Sequence, residues 1–140
     1  MSTVGILGAN GRMGRALVSV AKEHQLPMSA ATVRAGSALT GMDAGELAGC
    51  GKLNLPFIET SVAALDSADI WIDFTMPDAM LQHLELAVQA KKALVIGVTG
   101  LTDSQYAAVQ QAAKYIPIVW APNMSVGAVS YTHLTLPTKA

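Results

Sequence analysis

Short apolar runs alternate with longer amphipathic stretches along most of the chain. The runs have the length of β-strands and predict strands at residues 4–7, 28–33, 57–58, 69–74, 93–97 and 116–120. The run ALVIG at 93–97 is apolar throughout, which is typical of a strand buried on both faces of a sheet.

The stretches between these runs carry helix signals and predict helices at residues 12–24, 61–67, 77–91 and from residue 102 onward. Pro77 fits a first helical turn, because the N–H that proline lacks would be unpaired there. Thr102 and Gln105 have the spacing of a capping box. The apolar face of the first helix is predicted from residues at helical spacing, namely Met13, Ala16, Leu17, Val20 and Ala21.

Residues 35–56 interrupt this alternation. They are rich in glycine and poor in branched apolar residues, so we expect a long, partly ordered loop with a short turn of helix at 43–47. A connection of this length often has a function. The alternation elsewhere predicts βαβ units, and the fold class is therefore α/β, a single-domain, doubly wound Rossmann-like parallel sheet.

The composition argues against nucleic acid, a membrane surface and a multi-cysteine metal site as binding partners. The chain has 140 residues, of which 51% are apolar, and its net charge of -1 gives no general attraction to nucleic acid or to a membrane surface. A single cysteine, Cys50, excludes an internal disulfide and a multi-cysteine metal site, and we expect it to be a small apolar filler. No apolar run is long enough to span a membrane and no leader precedes the first strand, so a cytoplasmic protein is expected.

Isolated polar and aromatic residues give weaker signals. The three histidines share no spacing, so neither metal binding nor acid–base catalysis is predicted for them. Asp73 lies within a strand, and we interpret it as a hydrogen bonder at the strand's end. Trp71 and Trp120 occupy strand positions and are predicted to pack in the core or on a sheet face.

The sequence GANGRMG follows the first strand and leads into the first helix; we call residues 8–14 the phosphate loop. At such a junction, free backbone N–H groups and the positive end of the helix dipole favour a pyrophosphate. Gly8 allows the tight turn, Gly11 allows the backbone to approach the phosphates, and Gly14 allows close helix packing. Asn10 stands where a second glycine is more usual, and it tolerates left-handed backbone angles. The loop predicts a dinucleotide-binding site.

The end of the second strand indicates which dinucleotide is favoured. A carboxylate about 20 residues after the loop usually accepts a hydrogen bond from the adenosine ribose 2′-OH. Here Val33 stands at that place and Arg34 follows it, and an arginine can pair with a 2′-phosphate. Arg12, at the mouth of the loop, can reach a phosphate. The sequence favours NADPH over NADH, although either arginine could instead be an ordinary solvated charge.

Five segments, in this order, resemble the dihydrodipicolinate reductase family, also called 4-hydroxy-tetrahydrodipicolinate reductase, of bacterial lysine biosynthesis. They are GANGRMG (8–14), VRAGSALTGMDAGELAG (33–49), IDFTMPDAMLQHL (72–84), VIGVTG (95–100) and APNMSVG (121–127). The resemblance implies NAD(P)H-dependent reduction of 4-hydroxy-tetrahydrodipicolinate to tetrahydrodipicolinate in the diaminopimelate branch of amino-acid biosynthesis.

The resemblance also implies roles for matching positions. The pyrophosphate would be held by Gly8, Ala9, Asn10, Gly11, Arg12 and Met13, and the ribose or its 2′-phosphate by Arg34. The rest of the cofactor site would comprise Phe74, Thr75, Gly97, Val98, Thr99, Ala121, Pro122, Asn123 and Met124. Two positions depart from the pattern, since Val33 stands where some members have an acid and Met76 where some have an arginine.

The family has a second domain that binds and protonates the substrate and forms its homo-oligomer. Motifs of that domain do not occur in this sequence, and the resemblance ends near residue 128. We therefore expect a dinucleotide-binding domain at 1–128 and a non-homologous, poorly ordered tail at 129–140. The chain would carry no catalytic residue of its own, be catalytically incompetent, and not assemble as the family does.

Two other functions are compatible with a cofactor-binding fold. The first is a non-catalytic NADP-binding regulatory or redox-sensing domain, which the sequence of this chain does not distinguish from the reductase. The second is another NADP-dependent oxidoreductase, such as an aspartate-semialdehyde or homoserine dehydrogenase. That alternative would need catalytic motifs of its own, and none are visible.

Overall fold

The computed structural model of the protein describes residues 2–120, which form a parallel sheet with helices on both faces. The strands are β1 (Val4–Leu7), β2 (Met28–Val33), β3 (Ile58–Glu59), β4 (Ile70–Asp73), β5 (Ala93–Ile96) and β6 (Ile118–Trp120). The helices are α1 (Arg12–Glu23), α2 (Ala44–Ala48), α3 (Val62–Leu65), α4 (Pro77–Ala90) and α5 (Asp103–Ala112). The strand order β3-β2-β1-β4-β5-β6 confirms the predicted doubly wound Rossmann-like sheet.

The strand order reverses direction between β1 and β4, and ligands of open α/β sheets bind outside the carboxyl ends of strands at such a switch point. The register aligns these ends, since Leu7 pairs with Asp73 and Asp73 pairs with Ile96. Gly8 and Gly97, which follow Leu7 and Ile96 directly, therefore leave the sheet at the same edge.

Two apolar clusters cover the two faces of the sheet. Trp71 on β4 is the largest side chain that is fully buried, and its indole N–H donates to the carbonyl of Leu65 at 2.9 Å. A Cβ at Gly5 would lie 2.6 Å from the Trp71 ring, so glycine at this position of β1 admits the ring. The predicted packing role of Trp71 is confirmed.

The buried face of α1 differs from the prediction. Leu17 and Ala21 are buried as expected, but Met13 and Ala16 are exposed, and the other buried positions are Gly14 and Val18. Residues 14, 17, 18 and 21 also have helical spacing, so the periodicity was correct and the rotation of the face was not. The glycine fixes that rotation, because its lack of a side chain brings the helix close to the chain below it.

The segment 35–56 is more ordered than predicted. It contains α2, and the Asp43 carboxylate accepts hydrogen bonds from the backbone N–H groups of Glu46 (3.0 Å), Leu53 (2.9 Å) and Leu55 (2.8 Å). These bonds hold the pKa of Asp43 below its usual value, the Leu53 N–H contributing most. One carboxylate thus closes the segment on itself and returns the chain to β3.

Two predictions concern the other end of the fold. The capping box of α5 is confirmed, since the Thr102 hydroxyl accepts from the Gln105 N–H and the Gln105 side chain accepts from the Thr102 N–H. Of the two places predicted for Trp120, the core and a sheet face, the structure shows the second: Trp120 is 40% exposed and packs against Tyr106 of α5, with ring centroids 4.9 Å apart. No helix in residues 2–120 is long and apolar enough to cross a membrane.

Candidate functional site

The phosphate loop makes a tight turn out of β1. Gly8 has a φ of +62°, a left-handed value that favours glycine, and the Gly11 N–H donates to the Gly8 carbonyl at 3.1 Å. The neighbouring strand supports the turn, because the Ala9 N–H donates to the Thr32 carbonyl at 2.8 Å. Asn10 does not adopt a positive φ, so the tolerance of asparagine for left-handed angles is not needed at this position.

The N-terminus of α1 has no side-chain cap. Its N-cap is Gly11, and no acidic residue lies in its first turn. The N-termini of α2, α3 and α5 are capped by the side chains of Asp43, Ser61 and Thr102, whereas α4, which begins at Pro77, also lacks a side-chain cap. Because the first N–H groups of a helix have no partner within it, α1 presents unpaired donors and the positive end of its dipole at the edge where ligands bind.

Gly14 brings α1 directly onto the phosphate loop. A Cβ at Gly14 would lie 2.4 Å from the Gly8 carbonyl oxygen and 2.6 Å from the Ala9 Cα, so only glycine fits. A Cβ at Gly11 would meet no atom nearer than 3.6 Å, which leaves the outer side of the loop open. Gly14 therefore packs against the loop, and Gly11 faces the space that a pyrophosphate requires.

A cavity of about 280 Å³ lies between the phosphate loop and α4. Its wall includes Gly8, Asn10, Arg34, Thr60, Thr75 and His83. Four residues predicted for the cofactor site, Gly8, Asn10, Arg34 and Thr75, thus share one cavity. Arg34 is exposed and makes no ion pair within residues 2–120. The cavity borders the phosphate loop and carries an available guanidinium, which suits an anionic ligand.

A buried carboxylate organises the α4 side of this cavity. Asp73 is fully buried, and its Oδ1 accepts from the backbone N–H (2.9 Å) and the hydroxyl (2.5 Å) of Thr75. Its Oδ2 lies 2.8 Å from Nδ1 of His83, which is also buried. A carboxylate that accepts at both oxygens places the His83 proton on Nδ1. Asp73 is the strand-end hydrogen bonder that was predicted.

A second group of predicted residues lies at the ends of β4 and β5. The Phe74 ring covers Gly97, where a Cβ would be 2.3 Å from the ring, and the Gly97 N–H donates to the Asp73 carbonyl at 2.9 Å. Val98 is buried, and its carbonyl accepts from the Trp120 indole N–H at 3.3 Å. Thr99 is exposed. The structure therefore brings Phe74 and Gly97 into contact.

Other predicted residues lie elsewhere. Arg12 and Met13 are exposed at the start of α1, outside the cavity wall. The predicted residues Ala121, Pro122, Asn123 and Met124 and the predicted tail at 129–140 lie outside the described residues.

Sequence reasoning missed Thr60 and His83 as cavity residues. Thr60 follows a strand of two residues, and its hydroxyl lies 2.9 Å from the Thr32 hydroxyl. His83 is ten positions from Asp73 in the sequence, and only the packing of α4 against the sheet brings the two side chains together. Asp73 itself was a usable signal, because a carboxylate in the apolar run IWIDF needs buried partners. No group of three or more potential metal ligands occurs in residues 2–120.

Comparisons with known proteins agree with this geometry. A family model described as dihydrodipicolinate reductase, N-terminus, matches residues 2–124. A 4-hydroxy-tetrahydrodipicolinate reductase of Pseudoalteromonas atlantica is 47% identical over 128 residues, which is 91% of this chain and 48% of that protein. A protein of the same name from Acinetobacter baumannii is 44% identical over 137 residues, 97% of this chain and 50% of that protein. The chain thus spans about half the length of these curated relatives.

Solved structures show the same fold. A dipicolinate-bound dihydrodipicolinate reductase from Paenisporosarcina sp. TG-14 superposes with a TM-score of 0.64 at 25% identity, covering 93% of this chain and 50% of that one. An amine dehydrogenase from Mycobacterium smegmatis has a TM-score of 0.69 at 15% identity, covering 85% of this chain and 38% of that one, and shows the fold alone. Since the family model matches residues 2–124 and these relatives cover nearly all of the chain, the chain belongs to the dihydrodipicolinate reductase family and corresponds to its N-terminal part.

Proposed function

We propose that this chain is the NAD(P)H-binding part of a 4-hydroxy-tetrahydrodipicolinate reductase of the lysine pathway. One observation carries the proposal: the N-terminus of α1 and the guanidinium of Arg34, neither of which has a side-chain partner within residues 2–120, lie at the ligand-binding edge beside one cavity. A dinucleotide that carries phosphates at two places supplies partners for both. The relatives that cover nearly all of this chain bear the reductase name, which supports the same assignment.

The residues present fit the cofactor at three points. The phosphate loop would hold the pyrophosphate, because its outer side at Gly11 is open and no side chain of residues 2–120 caps the N-terminus of α1. Arg34 would contact the adenosine ribose or its 2′-phosphate. Phe74 and the turn at 97–99 would border the nicotinamide, whose ring supplies the hydride when bound. The protein's part here is to bind and orient that ring beside the buried strand ends.

The end of β2 supports a preference for NADPH. Position 33 is occupied by a fully buried valine, so it offers no carboxylate to a ribose 2′-OH. Arg34, the next residue, is exposed and has no ion partner within residues 2–120. A guanidinium that is not neutralised by the protein favours a 2′-phosphate over a hydroxyl.

We do not expect these 140 residues to catalyse reduction of the substrate on their own. The resemblance assigns substrate protonation to a second domain, and the described cavity wall contains no lysine that could replace it. We infer that the chain binds cofactor as a monomer in the cytoplasm and does not reduce the substrate. Turnover of NADPH with 4-hydroxy-tetrahydrodipicolinate by the purified chain would refute this part.

Calorimetric titration of the purified chain with NADPH and with NADH tests the proposal directly. We expect both to bind and NADPH to bind more tightly. Arg34→Gln should weaken NADPH binding by about tenfold and leave NADH binding nearly unchanged, because one charge-assisted contact to the 2′-phosphate is removed. Arg15→Gln, an exposed position on α1 with the same change of charge, is the matched control and should change neither affinity. Absence of binding by either cofactor, or tighter binding of NADH, would contradict the proposal.

A further inference from the structure

The end of β3 brings a carboxylate beside the position where β2 lacks one. Val33 pairs with Glu59 in the β2–β3 register, and Val33 is the position at which a ribose-binding acid was expected. The Val33 side chain is buried, whereas Glu59 is exposed. Oε2 of Glu59 accepts from the backbone N–H of Gly36 at 3.0 Å. A carboxylate is therefore fixed next to the end of β2, supplied by the neighbouring strand.

This carboxylate lies at the turn that carries Arg34. Gly36 is within that turn, which is closed by the Ser37 N–H donating to the Arg34 carbonyl at 3.1 Å. Thr60, the residue after Glu59, lines the same cavity as Arg34, and its hydroxyl donates to the Val33 carbonyl at 2.8 Å. The end of β3 is thus hydrogen-bonded to the turn through Glu59 and to the end of β2 through Thr60.

The second carboxylate oxygen of Glu59, Oε1, has no hydrogen-bond partner among residues 2–120. It is an acceptor one residue away from Thr60 of the cavity wall, fixed in place through its partner oxygen. A ribose 2′-OH can donate to such an oxygen. A 2′-phosphate at the same place meets a charge of its own sign.

We propose that Glu59 is a specificity-determining residue that takes the part of the acid missing at position 33. It accepts from the ribose 2′-OH of NADH and opposes the 2′-phosphate of NADPH, while Arg34 has the reverse effect. The two side chains together keep the preference for NADPH moderate. This inference rests on the proposed function, since it concerns the same cofactor site.

Glu59→Gln tests the charge without removing the structural bond. The amide oxygen of glutamine still accepts from the Gly36 N–H, so the turn that carries Arg34 is retained. We expect the ratio of Kd for NADH to Kd for NADPH, measured by calorimetry at low salt, to rise about fivefold. The rise should shrink at higher salt, because the carboxylate is exposed and its effect is screened.

A matched control separates this local effect from net charge. Glu23→Gln makes the same change at the last residue of α1, an exposed position about 14 Å along the helix from the end of the phosphate loop. The ratio of Kd for NADH to Kd for NADPH in Glu23→Gln should equal that of the unchanged chain. Circular dichroism melting of each variant establishes that it is folded before it is titrated.

Glu59→Ala distinguishes specificity from support of the turn. If Glu59 only anchors the turn, Glu59→Ala weakens both cofactors together, and Glu59→Gln leaves the ratio within twofold of the unchanged chain. That result overturns the inference while the proposed function stands. If the unchanged chain binds neither cofactor, the proposed function fails and the inference fails with it. A raised ratio in both variants supports the inference.

Discussion

Replacing Gly14 with alanine tests the contact that joins α1 to the phosphate loop. The new methyl carbon would lie 2.4 Å from the Gly8 carbonyl oxygen, 2.6 Å from the Ala9 Cα and 2.8 Å from the Ala9 carbonyl carbon. All three neighbours are backbone atoms, so no side chain can rotate away. Ordinary contact begins at 3.4 Å, and the difference, 3.4 − 2.4, requires the loop and the helix to separate by 1.0 Å.

Two opposing effects set the size of the change. Overpacking of a tight contact costs about 3 kcal/mol at its upper end, which is appropriate for three backbone clashes. Alanine is favoured over glycine inside a helix by about 1 kcal/mol. The net loss is therefore about 2 kcal/mol, and the melting temperature should fall by roughly 8 °C for a domain of this size. NADPH affinity should fall about tenfold or more, because the helix N-terminus moves away from the pyrophosphate.

Thermal melting by circular dichroism and calorimetric titration measure the two effects. Ala16→Gly, at an exposed position of the same helix, gives the alanine–glycine difference without any contact, so the steric part of the Gly14 change follows by subtraction. Helix propensity alone would make Gly14→Ala more stable than the unchanged chain. A rise in melting temperature would therefore show that the tight contact is absent in solution and refute the reasoning.

Three further expectations concern the fold around the site. Gly5→Ala should lower the free energy of unfolding by about 1–3 kcal/mol in a urea titration, because its Cβ would lie 2.6 Å from the buried Trp71 ring; an unchanged midpoint would contradict this. Asp73→Ala should cost about 3–5 kcal/mol in the same assay, since it leaves the buried Nδ1 of His83 and the Thr75 N–H without their acceptor; a loss below about 1 kcal/mol would show that these bonds do not form. The Leu53 N–H, with those of Leu55 and Glu46, lowers the pKa of Asp43 in the folded state. Ionised Asp43 therefore stabilises the fold above its unfolded pKa, and this contribution is lost as pH falls through the folded pKa, below about pH 4. Asp43→Asn should consequently melt with a shallower dependence on pH between 6 and 3 than the unchanged chain, and parallel curves would contradict the assignment.

The parts of the fold that could be predicted depend on local chemistry. The phosphate loop was visible because Gly8, Gly11 and Gly14 lie within seven residues at a strand–helix junction. The capping box was visible because Thr102 and Gln105 are three positions apart. In each case the groups that interact are close in sequence, so residue type and spacing are sufficient to indicate the contact.

The parts that could not be predicted depend on contacts between distant segments. The Asp43 carboxylate meets N–H groups ten and twelve residues away, and nothing in the composition of that segment marks them as partners. The pair of Val33 and Glu59 depends on which strand lies beside β2. The face of α1 was misjudged because Gly14 was not counted among apolar residues, although it makes the closest approach.

The different surroundings of Trp71 and Trp120 give the chain two separate optical reporters. Trp71 is sealed in the core and bonded to Leu65, so a dissolved quencher such as iodide has no access to its indole while the sheet is intact. Trp120 is partly open to solvent and bonded to the Val98 carbonyl, beside the turn at 97–99. Quenchable emission therefore reports on the ligand-binding edge, and protected emission reports on the core. The emission of Trp120→Phe would come from Trp71 alone and so identify the core signal, after which occupancy and unfolding could be followed separately in the unchanged chain.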